Sequence, residues 1–145
     1  MKRSLLTEAD GGPLAVVVAG ANVPDAKLLN ALLEAVVVER PQPTAEQPQR
    51  LCLDKGYDNP TGEQAVADHA YTPHIRRIGE EKFDEKQEKR YPARRWVVER
   101  TLAWLSKCRA ILVRYEKKSQ NYLALLKLAC GLLWYRRYHR LCLLR

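Results

Sequence analysis

The chain has 145 residues, of which 46% are hydrophobic, and a formal net charge of +8. This length and apolar content fit one domain with a core of its own. No apolar run approaches the roughly 18 residues of a membrane-spanning helix, and the N-terminus lacks the apolar segment of a signal peptide. We therefore expect a cytoplasmic protein that does not enter a membrane. The four scattered cysteines form no Cys-x-x-Cys pair, which predicts buried free thiols and argues against a zinc site.

The charge is divided unevenly between the two halves of the chain. Residues 1–70 contain 6 Lys or Arg and 10 Asp or Glu, whereas residues 71–145 contain 19 and 7. A change of sign this large predicts that the second half binds a polyanion, although a solvated basic surface is the simpler alternative. Acidic residues in the first half suit a metal site, where carboxylates concentrate.

The first elements predicted along the chain form a β-hairpin followed by a helix. Strands at residues 3–7 and 14–19 flank Asp-Gly-Gly-Pro at 10–13, a strong turn signal. Leucines then recur at helical spacing from Ala26 to about Glu39, with Asp25 as the candidate N-cap. One side of this helix should therefore pack on a sheet. The polar, proline-rich residues 41–49 predict a loop.

The next elements alternate between strand and helix. Leu51–Leu53 predicts a short buried strand that ends at Asp54, Thr61 can cap a helix that continues to about His69, and Tyr71–Ile75 predicts another strand. The order β-β-α-β-α-β, followed by helices, predicts an α/β layered fold with a partly parallel sheet.

The last third of the chain is predicted to be a charged segment followed by helices. Charged residues dominate Gly79–Tyr91, which predicts a surface segment. Helices are predicted from Arg94 to about Lys107 and from Ser119 to about Leu141. The whole chain then forms one partial domain, with a hairpin and α/β part at 1–78, a charged connector at 79–93 and a helical part at 94–145.

Asp54 is the first candidate site residue, because ligand sites in α/β sheets gather at the carboxyl ends of strands. Gly56 would permit a tight turn that lets the Asp54 carboxylate face outward. A single aspartate after a strand is more often a structural cap, and that reading stays open.

Glu99 is the second candidate, since it is one acid among arginines on the helix that begins at Arg94. It shares a stripe with Arg95, Ala103 and Lys107. The plain interpretation is an exposed Arg95–Glu99 ion pair; the functional one is a metal ligand flanked by cations that contact DNA. Phosphodiester cleavage with Mg²⁺ requires hard oxygen ligands of this kind. We expect the nearby tryptophans, Trp96 and Trp104, to anchor the helix to its sheet in preference to stacking on a base.

Leu-Cys-Leu-Asp-Lys-Gly-Tyr at 51–57, together with Glu99, resembles the bacterial insertion-sequence transposases with a DDE active site, in the insertion sequence 5 branch. The signature of that family around its glutamate is Tyr-x2-Arg-x3-Glu-x6-Lys. Arg95 matches it, Tyr91 lies one position too early and Lys107 one too late. The resemblance implies a ribonuclease H-like fold with extra C-terminal helices, and Mg²⁺ or Mn²⁺ held by Asp54 and Glu99 as the second and third acids. Arg95, Arg100 and Lys107 would contact phosphates of the element ends and target DNA.

The chain departs from that family at its beginning. The first, central strand and its aspartate have no counterpart, and Asp10 lies in turn chemistry that suits a hairpin tip better than a metal site. We therefore expect the chain to be inactive alone. An upstream reading-frame product could supply the first aspartate, or the chain could be a decayed remnant. The alternative function is that of a basic DNA-binding remnant or an inhibitor of full-length transposase; a homo-oligomer is compatible with both.

Overall fold

A computed structural model describes residues 1–75 and 95–143. The predicted charged segment Gly79–Tyr91 and the connector 79–93 lie outside these ranges. The order of the main elements agrees with the prediction. In chain order they are β1 (Lys2–Thr7), β2 (Pro13–Ala19), α1 (Asp25–Glu34), β3 (Arg50–Leu53), a 3-10 helix (Lys55–Tyr57), α2 (Pro60–Asp68), β4 (Thr72–Ile75), α3 (Arg95–Ser106), α4 (Arg109–Leu112) and α5 (Ser119–Leu143).

The predicted hairpin, β1–β2, lies at the centre of the molecule. The strands pair in antiparallel register, with Leu5 opposite Val16 and Leu6 opposite Ala15. Successive side chains on a strand point to opposite faces, so these two pairs face opposite ways. The turn contains Gly11 with φ +94°, a backbone conformation that suits glycine.

Each face of the hairpin is covered by its own hydrophobic cluster. The Leu6–Ala15 pair packs with α1, β3 and α2 through buried side chains: Leu29, Leu32, Leu33, Leu51, Ala65 and Val66. The Leu5–Val16 pair packs with the C-terminal helices through Leu105, Ile111, Tyr122, Leu126 and Ala129. The hairpin thus lies between two layers, and the apolar side chains that it presents on each face explain why both layers pack against it.

The strand after α1 belongs to a second, separate sheet. β3 pairs with β4 in parallel register, from Arg50 opposite Thr72 to Leu53 opposite Ile75. The prediction of a parallel pair is therefore confirmed. The strands that the structure describes form two two-stranded sheets, however, in place of the single partly parallel sheet that was expected.

The predicted extent and cap of α1 were wrong. The helix ends at Glu34, five residues before the predicted end, and the β-branched run of Val36, Val37 and Val38 follows it. Such residues lose side-chain freedom in a helix, and the Val37 N–H instead donates to the Leu14 carbonyl. Asp25 begins the helix without capping it, because its carboxylate pairs with Lys2 at 3.1 Å.

The cap of α2 also differs from the prediction. The Asn59 side chain accepts a hydrogen bond from the Gly62 N–H at 3.0 Å, and Pro60 occupies the first turn. Thr61 therefore lies inside the helix, one residue beyond the favoured proline position. The 3-10 helix and α4 were not predicted, since each spans only three or four residues and carries no periodic pattern.

The cysteines are free, as predicted, but less buried than expected. Cys142 is exposed, and the other three are partly buried: Cys52, Cys108 and Cys130. Burial raises the pKa of the Cys130 thiol to about 11. Within the described ranges, no helix combines the length and apolarity that a membrane crossing would require.

Candidate functional site

Asp54 lies where β3 ends, as predicted, and it caps the 3-10 helix. One carboxylate oxygen accepts a hydrogen bond from the Lys55 backbone N–H at 2.8 Å. The side chain is exposed, next to Gly56, whose position leaves open space. The structural cap that was weighed against a metal ligand is therefore present.

Glu99 is exposed on α3, on the side of the helix away from the core. The buried side of α3 is formed by Val97, Thr101 and Leu105, and Glu99 lies roughly half a turn from their centre. This helix packs on the Leu5–Val16 face of the hairpin, whereas β3 packs on the other face. The elements that carry Asp54 and Glu99 are thus separated by the hairpin layer.

The described residues do not assemble a complete metal site. No group of three His, Cys, Asp or Glu side chains that could hold an ion occurs between 1 and 75 or between 95 and 143. Asp10 belongs to the hairpin turn, as expected, where its carboxylate lies 3.4 Å from Arg137. Asp54 and Glu99 each present a carboxylate, but neither belongs to a group of three such side chains in the part of the chain that the structure describes.

The hairpin tip, which we define as residues 8–13 at the turn between β1 and β2, is hydrogen-bonded to two side chains of α3. The Thr101 hydroxyl is fully buried, 2.8 Å from the Gly11 carbonyl oxygen and 3.0 Å from that of Val97. Arg100 donates to the Asp10 carbonyl at 2.7 Å. These bonds satisfy the turn carbonyls, which a buried tip must pair with something. Thr101 was not predicted as a buried residue, because the apolar pattern alone gave no reason to include a polar one.

A hydrogen bond and an ion pair connect the hairpin tip to α5. Trp134 Nε1 donates to the Pro13 carbonyl at 2.7 Å, and Arg137 pairs with Glu8. Partial burial by itself would raise the pKa of Glu8, but hydrogen bonds from the Gly12 N–H, Arg137 and the Asp10 N–H, together with the Arg137 charge, lower it overall. Glu8 is therefore held as a carboxylate that ties the tip to both its own turn and α5.

Arg100 is stacked between the two tryptophans of α3. Its guanidinium carbon lies 4.7 Å from the Trp96 ring centroid and 4.8 Å from that of Trp104. These rings are 55% and 37% exposed, so the expectation that they anchor α3 to the sheet was wrong. Cation–π stacking on Arg100 holds them at the surface instead.

A groove of about 560 Å³ opens between α3 and α5 beside the hairpin tip. It is lined by five cationic side chains and one acid: Arg100, Lys107, Arg136, Arg137, Arg140 and Asp10. Trp104 and Trp134 form part of its wall. Sequence reasoning selected Arg100 and Lys107, but missed the three arginines of α5. Their i, i+4 spacing was a signal, yet nothing in the sequence showed which surface α5 would share with α3.

Comparison with known proteins decides the family. Residues 1–134 match the family model described as the transposase DDE domain. The chain belongs to the DDE transposase domain family. It is also similar to a protein of Burkholderia cepacia described as a proposed transposase for insertion sequence element IS402, with 34% identity over 134 residues. No solved structure matches this DDE domain.

The aligned part makes up 91% of this DDE domain and 61% of the Burkholderia cepacia relative, so the chain spans less than two thirds of that protein's length. DDE transposases use divalent metal ions and act on DNA, which fits hard oxygen ligands beside cations. Arg95 lies at the start of α3, one turn before Glu99.

Proposed function

We propose that this DDE domain acts in DNA transposition, by metal-dependent strand cleavage and strand transfer, within the insertion sequence 5 branch. The observation that carries the proposal is the family match over residues 1–134, which includes both candidate carboxylates. In the proposed reaction, water first cleaves a phosphodiester at an element end, and the freed 3′-hydroxyl then attacks a phosphodiester of the target DNA.

Asp54 and Glu99 are the proposed metal-binding residues, for Mg²⁺ or Mn²⁺. Such an ion would make the attacking oxygen a better nucleophile and stabilise the leaving oxygen. Since the described residues supply no third carboxylate, we propose that these two act with a further acid, such as the first aspartate of an upstream reading-frame product. Arg95, Arg100 and Lys107 are the proposed phosphate contacts.

We further propose that the two sheets belong to one ribonuclease H-like sheet. In that fold, a central strand lies between the hairpin and the strand that carries the second acid. The separation of β1–β2 from β3–β4 supports this proposal, because each pair keeps its own register while the two pairs make no ladder with each other. A strand between the two pairs would form hydrogen bonds with the backbone N–H and C=O groups along their facing edges.

The first experiment tests the carboxylates. Residues 1–145 are joined in frame to an upstream strand that carries an aspartate, and the product is incubated with supercoiled plasmid DNA and Mg²⁺. We expect nicking that Glu99→Gln and Asp54→Asn each abolish, whereas Glu34→Gln, which changes an exposed glutamate at the end of α1, leaves it intact. Undiminished nicking by the Glu99→Gln protein would refute the proposed site.

A second candidate function is DNA binding without catalysis, as a remnant or an inhibitor of full-length transposase. Two observations favour it. The structure has a basic groove, and its described residues include no group of three acidic side chains that could hold a metal ion. It predicts that residues 1–145 bind DNA without metal and with a steep dependence on salt. Binding that does not change between about 50 and 200 mM salt would count against it.

A further inference from the structure

The groove between α3 and α5 contains more positive charge than its own structure neutralises. Arg137 is already paired with Glu8 and Asp10, and Arg100 is fixed by the Asp10 carbonyl and the two tryptophan rings. Lys107, Arg136 and Arg140 remain, all of them exposed. The ion pairs found among the described residues involve none of these three.

The three remaining cations occupy both walls of the groove. Lys107 follows the last residue of α3, while Arg136 and Arg140 lie one turn apart on α5, about 6 Å along the helix axis. A ligand in the groove would therefore meet positive charge from two sides and at successive points along its length. An extended polyanion fits such an arrangement better than a single small anion does.

The walls of the groove are held in place before any ligand arrives. Arg100 and Arg137 both contact the hairpin tip, through the Asp10 carbonyl and the Glu8 carboxylate. The tip thus fixes the separation of α3 and α5. Because the helices that carry the remaining cations are already in position, binding has to order only their side chains, which favours affinity for a matching ligand.

We propose that this groove binds the phosphodiester backbone of DNA through Lys107, Arg136 and Arg140, at a position separate from Asp54 and Glu99. The inference rests on the proposed function in taking DNA as the polyanion. Arginine suits phosphate because its planar fork donates two hydrogen bonds at once. Glu99 lies about 100° around α3 from Arg100 and does not belong to the residues that line the groove. The groove would hold DNA beside the carboxylate, outside the reacting bond.

The test measures binding of the unmodified 145-residue chain to a fluorescein-labelled DNA duplex by anisotropy, over a series of salt concentrations. The groove variant combines Lys107→Gln, Arg136→Gln and Arg140→Gln. The control variant combines Lys27→Gln, Lys118→Gln and Lys127→Gln, which removes the same charge from exposed positions elsewhere. Lys127 lies on α5 nine residues before Arg136, hence on the opposite side of that helix. Circular dichroism and thermal unfolding check that both variants fold.

We expect the groove variant to lose about 10²-fold or more in affinity and about three units of the slope of log K against log salt, since each phosphate contact contributes about 0.9. The control variant should lose less than about fivefold and keep most of the slope. Equal losses in the two variants would overturn the groove while leaving DNA as the partner. If the unmodified chain does not bind DNA even at low salt, the groove proposal and the proposed function both fail. Groove-dependent sedimentation with anionic vesicles, without DNA binding, would overturn the choice of ligand.

Discussion

Gly12 at the hairpin tip offers a direct test of how the tip holds α5. A Cβ placed on Gly12 would lie 2.4 Å from Trp134 Cζ2 and 2.9 Å from the Glu8 Oε1 atom. The indole ring is a rigid neighbour, and its Nε1 is bonded to the Pro13 carbonyl. Gly12→Ala must therefore displace the ring or the turn.

The expected cost follows from three contributions. Overpacking costs about 1–3 kcal/mol, and weakening the Trp134–Pro13 hydrogen bond adds about 0.5–1.5 kcal/mol. Alanine has less conformational freedom than glycine in the unfolded chain, and this difference offsets about 0.4–1 kcal/mol of the cost. We expect Gly12→Ala to lower the free energy of unfolding by about 2 kcal/mol net, measured by urea denaturation with circular dichroism.

A double-mutant cycle identifies the clash as the cause. Trp134→Leu removes the ring atoms, so Gly12→Ala in that background should lose most of its cost and keep only the part that comes from the 2.9 Å approach to Glu8 Oε1. Gly56→Ala is the matched control, because no heavy atom lies within 4 Å of its Cβ position. If Gly12→Ala costs the same with and without the Trp134 ring, the packing argument for the tip is refuted.

Three further predictions concern single groups. Thr101→Val should lower the free energy of unfolding by about 1–3 kcal/mol, because it leaves a buried carbonyl unpaired, and Thr101→Ser should recover much of the loss; denaturation curves that coincide for the two would contradict this. Because folding lowers the pKa of Glu8, its stabilisation is fully present above the ordinary value of 4.5 and declines as pH falls through the lower pKa of the folded state. The acid-induced loss should shrink in the Glu8→Gln protein, and an unchanged pH profile would argue against it. At pH 8 the exposed Cys142 thiol should alkylate much faster than that of Cys130, which is partly buried and whose pKa burial raises to about 11; equal rates by mass spectrometry would contradict the burial of Cys130.

Local patterns were enough to predict the hairpin, the parallel strand pair and the main helices. Asp-Gly-Gly-Pro between two apolar runs specifies a reversal whatever the rest of the chain does. The ends of helices were harder to predict, since they depend on competing partners. Asp25 was expected to cap α1 but pairs with Lys2, and Val37 leaves the helix to reach the Leu14 carbonyl. Neither partner is close in sequence.

Like the fold, the candidate site could be predicted from the sequence only in part. The resemblance pointed to Asp54 and Glu99 from short motifs, and their roles as metal ligands remain predictions. The groove could not be predicted, because Lys107 and Arg140 are 33 positions apart and meet only through the way α3 and α5 cross the hairpin. The tryptophans of α3 were expected to anchor the helix to its sheet, without allowance for the Arg100 guanidinium that stacks on both rings at the surface.

The hairpin tip connects these observations, because one short turn contacts both α3 and α5, the two helices between which the groove opens. Thr101 and Arg100 bind its carbonyls from α3, while Trp134 and Arg137 bind it from α5. A change in the turn should therefore alter the width of the groove while leaving the side chains of Lys107, Arg136 and Arg140 in place. The Gly12→Ala protein, if it remains folded, should bind DNA more weakly than the unmodified chain while keeping the same salt slope, because the number of phosphate contacts is unchanged and only their alignment suffers.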